Sequence, residues 1–106
     1  MTLIQLKYIL TIAETKSLNK AAEQLYVSQP SLTNALKELE KEIGITIFFR
    51  SGRGVTLTND GVEFLTYARE LYHEYEQLLH RYTEGSSYKK KFAVSTQHYS
   101  FAVNAF

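Results

Sequence analysis

The sequence predicts a mainly α fold: three short helices, a two-stranded hairpin and one long helix. Apolar residues recur at three- and four-residue steps near residues 3–13, 18–25, 32–43 and 62–82. Between the third and fourth of these periods lies a β-branched and aromatic stretch, split by Ser51-Gly52-Arg53-Gly54. Capping residues fall where the helical periods start, and Gly44 where one stops.

Leu3, Leu6, Ile9, Leu10 and Ala13 line one face of a first helix from about residue 2 to 15. Ser17 is a good N-cap for a second helix over 18–25, which buries Leu18, Ala21, Ala22 and Leu25. The two alanines let another helix approach closely. Tyr26-Val27-Ser28 makes the next turn, without the glycine that is common in such a turn. Ser28-Gln29-Pro30 opens a third helix; proline is tolerated in a first turn, and the cap is Ser28 or Gln29. Leu32, Ala35, Leu36, Leu39 and Ile43 form its buried stripe. Pro30, Thr33, Asn34, Lys37 and Lys41 fall opposite, and Glu38, Glu40 and Glu42 cluster toward its end. Gly44 closes it.

Residues 45–58 read as a hairpin whose tip carries Arg50 and Arg53. Thr58 or Asn59 caps a long helix that ends near Tyr82 or Thr83, with Asp60 at its positive end. Val62, Leu65, Ala68, Tyr72, Tyr75, Leu79 and Tyr82 make one apolar track along it. Phe64, Ala68, Leu71, Tyr75, Leu78 and Tyr82 make a second. So broad an apolar face needs more cover than one small domain supplies. The expectation is a dimerisation helix that also packs back on the first helix.

Composition narrows the function. A chain of 106 residues has room for one small domain, and 44% hydrophobic with 22% charged residues is ordinary for a globular protein. Without cysteine there are no disulfides, thiol chemistry or thiolate metal sites. His73 and His80 lie seven apart, too far for a one-turn metal pair, and His98 stands alone. No apolar run approaches the roughly 18 residues that span a bilayer, and no signal peptide is visible, so the expected location is the cytoplasm. No phosphate loop or nucleophile elbow appears, and Glu70 and Glu74 read as surface acids of a helix. Neither catalysis nor a cofactor is expected. A net charge of +1 does not decide for or against nucleic acid; the placement of the charges does.

Two short helices, a third with a polar outer face and a basic hairpin after it make a winged helix-turn-helix. The detailed pattern resembles the N-terminal region of a LysR-type transcriptional regulator. The resemblance rests on Leu6-Lys7-Tyr8, Ser17-Leu18, Ala21-Ala22 and Leu25. It continues through Val27-Ser28-Gln29-Pro30-Ser31-Leu32-Thr33, Leu39-Glu40, Ile47-Phe48, Arg50, Arg53, Val55, Leu57-Thr58 and Gly61. Residues 1 to about 84 are covered. The resemblance implies a reader of double-stranded operator DNA that works as a homodimer, with a tetramer and a contact to RNA polymerase considered for a full-length protein. It also implies a small-molecule effector bound by an α/β domain. Residues 92–106 resemble the start of that domain, and Ser95, Thr96 and Gln97 point to its pocket. The chain is accordingly expected to be part of a longer protein. Where the family often has serine and arginine, this chain has Thr33 and Asn34. Asparagine can pair with adenine N6 and N7, whereas arginine favours guanine or phosphate, so base preference there is open.

The expected organisation is a DNA-binding domain over 1–60, a dimerisation helix over 61–84, a hinge over 85–91 with the basic run Lys89-Lys90-Lys91, and the partial domain from 92. Gln29, Ser31, Thr33, Asn34 and Lys37 are the groove-facing candidates. Gln29 and Asn34 would read base edges, and Pro30 and the Thr33 methyl would meet a thymine methyl. Lys37 would reach a base or a phosphate. Arg50 and Arg53 would contact backbone or minor groove. Ser17 and Lys20 would position phosphate, although capping alone explains Ser17 and solvation alone explains Lys20. The competing reading is a winged helix used for protein–protein contact.

Overall fold

The computed structural model describes residues 1–83. The expectations for the hinge at 85–91, the partial domain at 92–106 and His98 lie outside the described residues. Helix α1 spans Leu3–Thr15 and opens on a reciprocal cap: the Thr2 hydroxyl accepts the Gln5 N–H, and the Gln5 side chain accepts the Thr2 N–H. It buries Leu6, Ile9 and Ile12; Leu3 is exposed, so Ile12 completes the stripe instead. Lys16, at φ 59°, turns the chain into α2 (Leu18–Leu25), whose Ser17 cap accepts the Lys20 N–H at 3.1 Å.

Helix α3 spans Gln29–Ile43. Of the two caps the sequence allowed, Ser28 serves: its hydroxyl accepts the Ser31 N–H at 3.2 Å, with Pro30 inside the first turn. Leu32, Leu36 and Leu39 are buried, while Ala35 and Ile43 are half-buried. Gly44 closes the helix in the left-handed region, at φ 77°.

The hairpin is shorter than the sequence suggests. β1 covers Phe48–Ser51 and β2 covers Gly54–Leu57, antiparallel, with Phe48 opposite Leu57 and Ser51 opposite Gly54. The ladder stops at Phe48 because the Ile47 N–H is taken by a side chain and not by the opposite strand. That N–H donates to the Glu40 carboxylate at 2.7 Å, and the Ile47 carbonyl accepts the Thr58 N–H at 3.0 Å. Glu40 also accepts the Phe48 N–H at 3.3 Å. Glu40 therefore clamps the entry to the hairpin rather than standing as one of three surface acids. At the far strand the Val55 N–H donates to the Lys16 carbonyl at 3.2 Å. That hydrogen bond seats the hairpin on the end of α1.

Helix α4 runs Asn59–Thr83. Thr58 caps it: its buried hydroxyl accepts the Gly61 N–H at 2.8 Å and donates to the Thr46 carbonyl at 2.6 Å. Gly61 is required by space, since a Cβ there would drive into the Ile47 carbonyl.

Residues 1–72 form one compact unit and a second begins at His73. The core of the first draws on α1, α2, α3, the hairpin and the start of α4. One expectation changes here. Leu65 and Ala68, placed on the dimerisation face, are 0% and 3% exposed in the chain's own core. Phe64 and Tyr72, further along α4, also pack against that core.

Candidate nucleic-acid interface

The outer face of α3 is polar and accessible. Gln29, Pro30, Ser31, Asn34 and Lys37 are exposed, whereas Leu32, Leu36 and Leu39 hold the opposite face in the core. The i, i+4 spacing of Gln29, Thr33 and Lys37, with Pro30 and Asn34 beside them, puts all five on one side. That is the surface a helix presents when its N-terminal half enters a major groove.

Thr33 is half-buried, and its hydroxyl accepts a hydrogen bond from Arg50 Nη2 at 3.3 Å. The hairpin arginine thus reaches across to the third helix instead of standing free. An open cleft runs beside this contact. Ser17 and Asn19 from the start of α2, Gln29 from the start of α3, and Arg50 and Arg53 from the hairpin line it. Lys20, Asn34 and Lys37 are exposed but do not line it. Asn19 was missed from sequence. A polar residue in the first turn of the second helix was the available signal.

The hairpin tip is a two-residue loop, Gly52-Arg53, between the strand ends. The Ser51 hydroxyl accepts the Arg53 N–H at 3.2 Å, which ties the arginine's backbone to β1 while the residue stays exposed. Gly54, at φ 129°, lies so near the Lys16 carbonyl that a Cβ would come within 2.5 Å of it. The tip is therefore anchored at its root.

Electrostatics agree with an anionic ligand. Neither α2 nor α3 has an acid in its first turn, whereas α4 has Asp60. The positive ends of α2 and α3 are left uncompensated on the side where Lys20, Lys37, Arg50 and Arg53 are exposed. Ser17 and Ser28 cap these two helices, and the Ser28 hydroxyl donates to the Ser31 hydroxyl at 2.9 Å. Ser17 and Ser31 thus each serve a helix start as well as lying on the accessible side. Among the described residues no cluster of potential metal ligands occurs, and no helix is long and apolar enough to cross a membrane.

On the long helix, Val62 and Leu71 are exposed in the first unit, and Leu78, Leu79 and Tyr82 in the second; Tyr72 and Tyr75 are half-buried. These are the residues of the expected dimerisation face that the chain itself leaves accessible in whole or in part.

The model for bacterial regulatory helix-turn-helix proteins of the lysR family matches residues 3–62. The chain is 42% identical over 88 residues to the HTH-type transcriptional regulator CitR of Bacillus subtilis (strain 168), covering 80% of this chain and 30% of CitR. It is 42% identical over 69 residues to the regulator ClcR of Pseudomonas putida, covering 65% of this chain and 24% of ClcR. Among solved structures it is similar to the BenM DNA-binding domain in complex with catB site 1 DNA. The TM-score is 0.76 at 33% identity, over 82% of this chain and 98% of that one. The CbnR DNA-binding domain in complex with DNA gives 0.73 at 35% identity, over 81% and 99%. The chain thus spans less than a third of the length of the two regulators and nearly the whole of the two DNA-bound domains.

Proposed function

Because the chain belongs to the LysR family of bacterial regulatory helix-turn-helix proteins, we propose that it binds operator DNA sequence-specifically, as a homodimer, to regulate transcription. The observation that carries this reading is the exposed polar face of α3 beside an arginine-bearing hairpin that is bonded to it through Arg50 and Thr33.

In this reading the N-terminal half of α3 lies in the major groove. Gln29 and Asn34 offer amides to base edges, with the adenine N6/N7 pair as the natural match for Asn34. Pro30 and Thr33 supply apolar contact to thymine methyls. Lys37 approaches the phosphates or a base along the same groove. Arg53 at the hairpin tip meets backbone or minor groove, and Arg50 does so from its position against Thr33. Ser17, Lys20 and Ser31 lie where the first turns of α2 and α3 meet phosphate. The second copy docks on the exposed apolar residues Leu78, Leu79 and Tyr82 of α4, with Tyr75 beside them. The reaction class is binding, not catalysis, and the place of action is the cytoplasm. A small-molecule effector, tetramer formation and contact with RNA polymerase belong to a longer protein of this type.

A mobility-shift assay against DNA upstream of the chain's own gene separates this reading from a protein–protein module. A retarded complex that survives unrelated competitor DNA is expected. Equal competition by any DNA, or no complex at all, would contradict it.

A further inference from the structure

The turn between α2 and α3 carries a side chain that the fold does not ask for. Tyr26 sits at φ 59°, in the left-handed region where a Cβ crowds the backbone and glycine is favoured. The turn is closed by main chain alone. The Tyr26 N–H donates to the carbonyls of Ala22 and Glu23, and the Val27 N–H to Ala22 at 3.1 Å. The tyrosine side chain adds nothing to this, being 94% exposed. Among the described residues its hydroxyl has no hydrogen-bond partner. Glycine would serve the turn better. A large aromatic held in a strained conformation, with no packing in return, points to a ligand outside the chain.

Its position identifies the ligand. Tyr26 stands two residues before the Ser28 cap and three before Gln29, the first residue of α3. Three residues of chain span about 10 Å at most. If the start of α3 lies in a major groove, the sugar–phosphate strand bordering that groove is within reach of a tyrosine. Resting on the reading of α3 given above, we infer that Tyr26 is a DNA-backbone contact. Its hydroxyl donates to a phosphate oxygen at the edge of the site, and its ring lies against the adjoining sugar. Such a contact positions the reading helix and carries no sequence information. A neutral donor also releases no counterion, so it adds affinity without adding to the salt dependence.

The test uses the whole chain, a duplex that the parent chain selects from a random-sequence pool, and an unrelated duplex of equal length. Binding is followed by fluorescence anisotropy across a salt series. Tyr26→Phe should weaken binding to both duplexes by roughly three- to tenfold with the salt slope unchanged. Tyr26→Gly should weaken binding at least as much while melting no lower than the parent. That pairing separates lost contact from lost fold. Variants that bind both duplexes like the parent would overturn the inference and leave the DNA reading standing. A loss confined to the selected duplex would also overturn it, by making Tyr26 a reader of bases. A parent chain that binds neither duplex would remove the DNA reading itself.

Discussion

Gln29 stands exposed in the first turn of α3 and lines the cleft shared with the hairpin arginines. Its amide carries a donor and an acceptor, the pair that adenine presents in the major groove. Gln29→Ala should therefore cost about 1–3 kcal/mol on a selected site and much less on unrelated DNA. Equal losses on both, measured by titration, would move Gln29 from reading to positioning. Gly61 belongs to the same scale with the opposite logic. Helix propensity alone favours Gly61→Ala by about 1 kcal/mol. The added Cβ, however, meets the Ile47 carbonyl, a backbone atom that already accepts the Thr58 N–H. Overpacking against fixed backbone costs about 1–3 kcal/mol, so the clash should win and thermal unfolding should shift downward. An unchanged or raised midpoint would mean that the strand entry gives way. Some residue-scale features were not legible in the sequence. Glu40 reads as one of three alternating acids, and only the return of the chain at Ile47 and Phe48 makes it a clamp. The bond from Arg50 to Thr33 joins residues 17 apart, a separation no local pattern encodes.

At the scale of elements, the hairpin and the long helix do different work. Arg53 sits in the two-residue loop with its backbone held by Ser51, so the root of its side chain is held at the tip. Arg53→Ala should weaken binding to every DNA sequence and flatten the salt slope by about one unit, as expected for one lost phosphate contact. An unchanged slope would place the hairpin tip away from the duplex. Leu79 is 51% exposed on α4 and stands with Leu78 and Tyr82 on its apolar side. A carboxylate there would be buried unpaired in an interface between two copies. Leu79→Asp should give monomers in analytical ultracentrifugation; a persisting dimer would put the interface elsewhere. The extents of the three short helices were legible because caps and apolar periods coincide: Ser17 and Leu25 bound α2 as read. The start of β1 was not. Ile45, Thr46 and Ile47 have strand propensity, but the Ile47 N–H goes to Glu40 and not across to the opposite strand.

For the whole molecule, the order of elements and the exposed polar face of α3 could be argued from sequence, because each rests on short-range periodicity. The division of the apolar surface of α4 could not. Period alone put Leu65, Ala68 and Leu79 on one track, yet Leu65 and Ala68 close the chain's own core while Leu79 is left outside it. What separates them is how far the first unit extends along the helix, to Tyr72, and that depends on packing between elements distant in sequence. In the proposed reading, the polar face of α3 meets DNA and the exposed apolar residues of α4 meet a second copy. Two copies related by a two-fold axis would present two α3 helices to DNA, and the preferred site would mirror that symmetry. Selection of bound duplexes from a random-sequence pool by the whole chain tests this most directly. Enrichment of an inverted repeat, with half-sites about one or a whole number of helical turns apart, is the predicted result. A pool that stays random after repeated rounds would contradict sequence-specific reading.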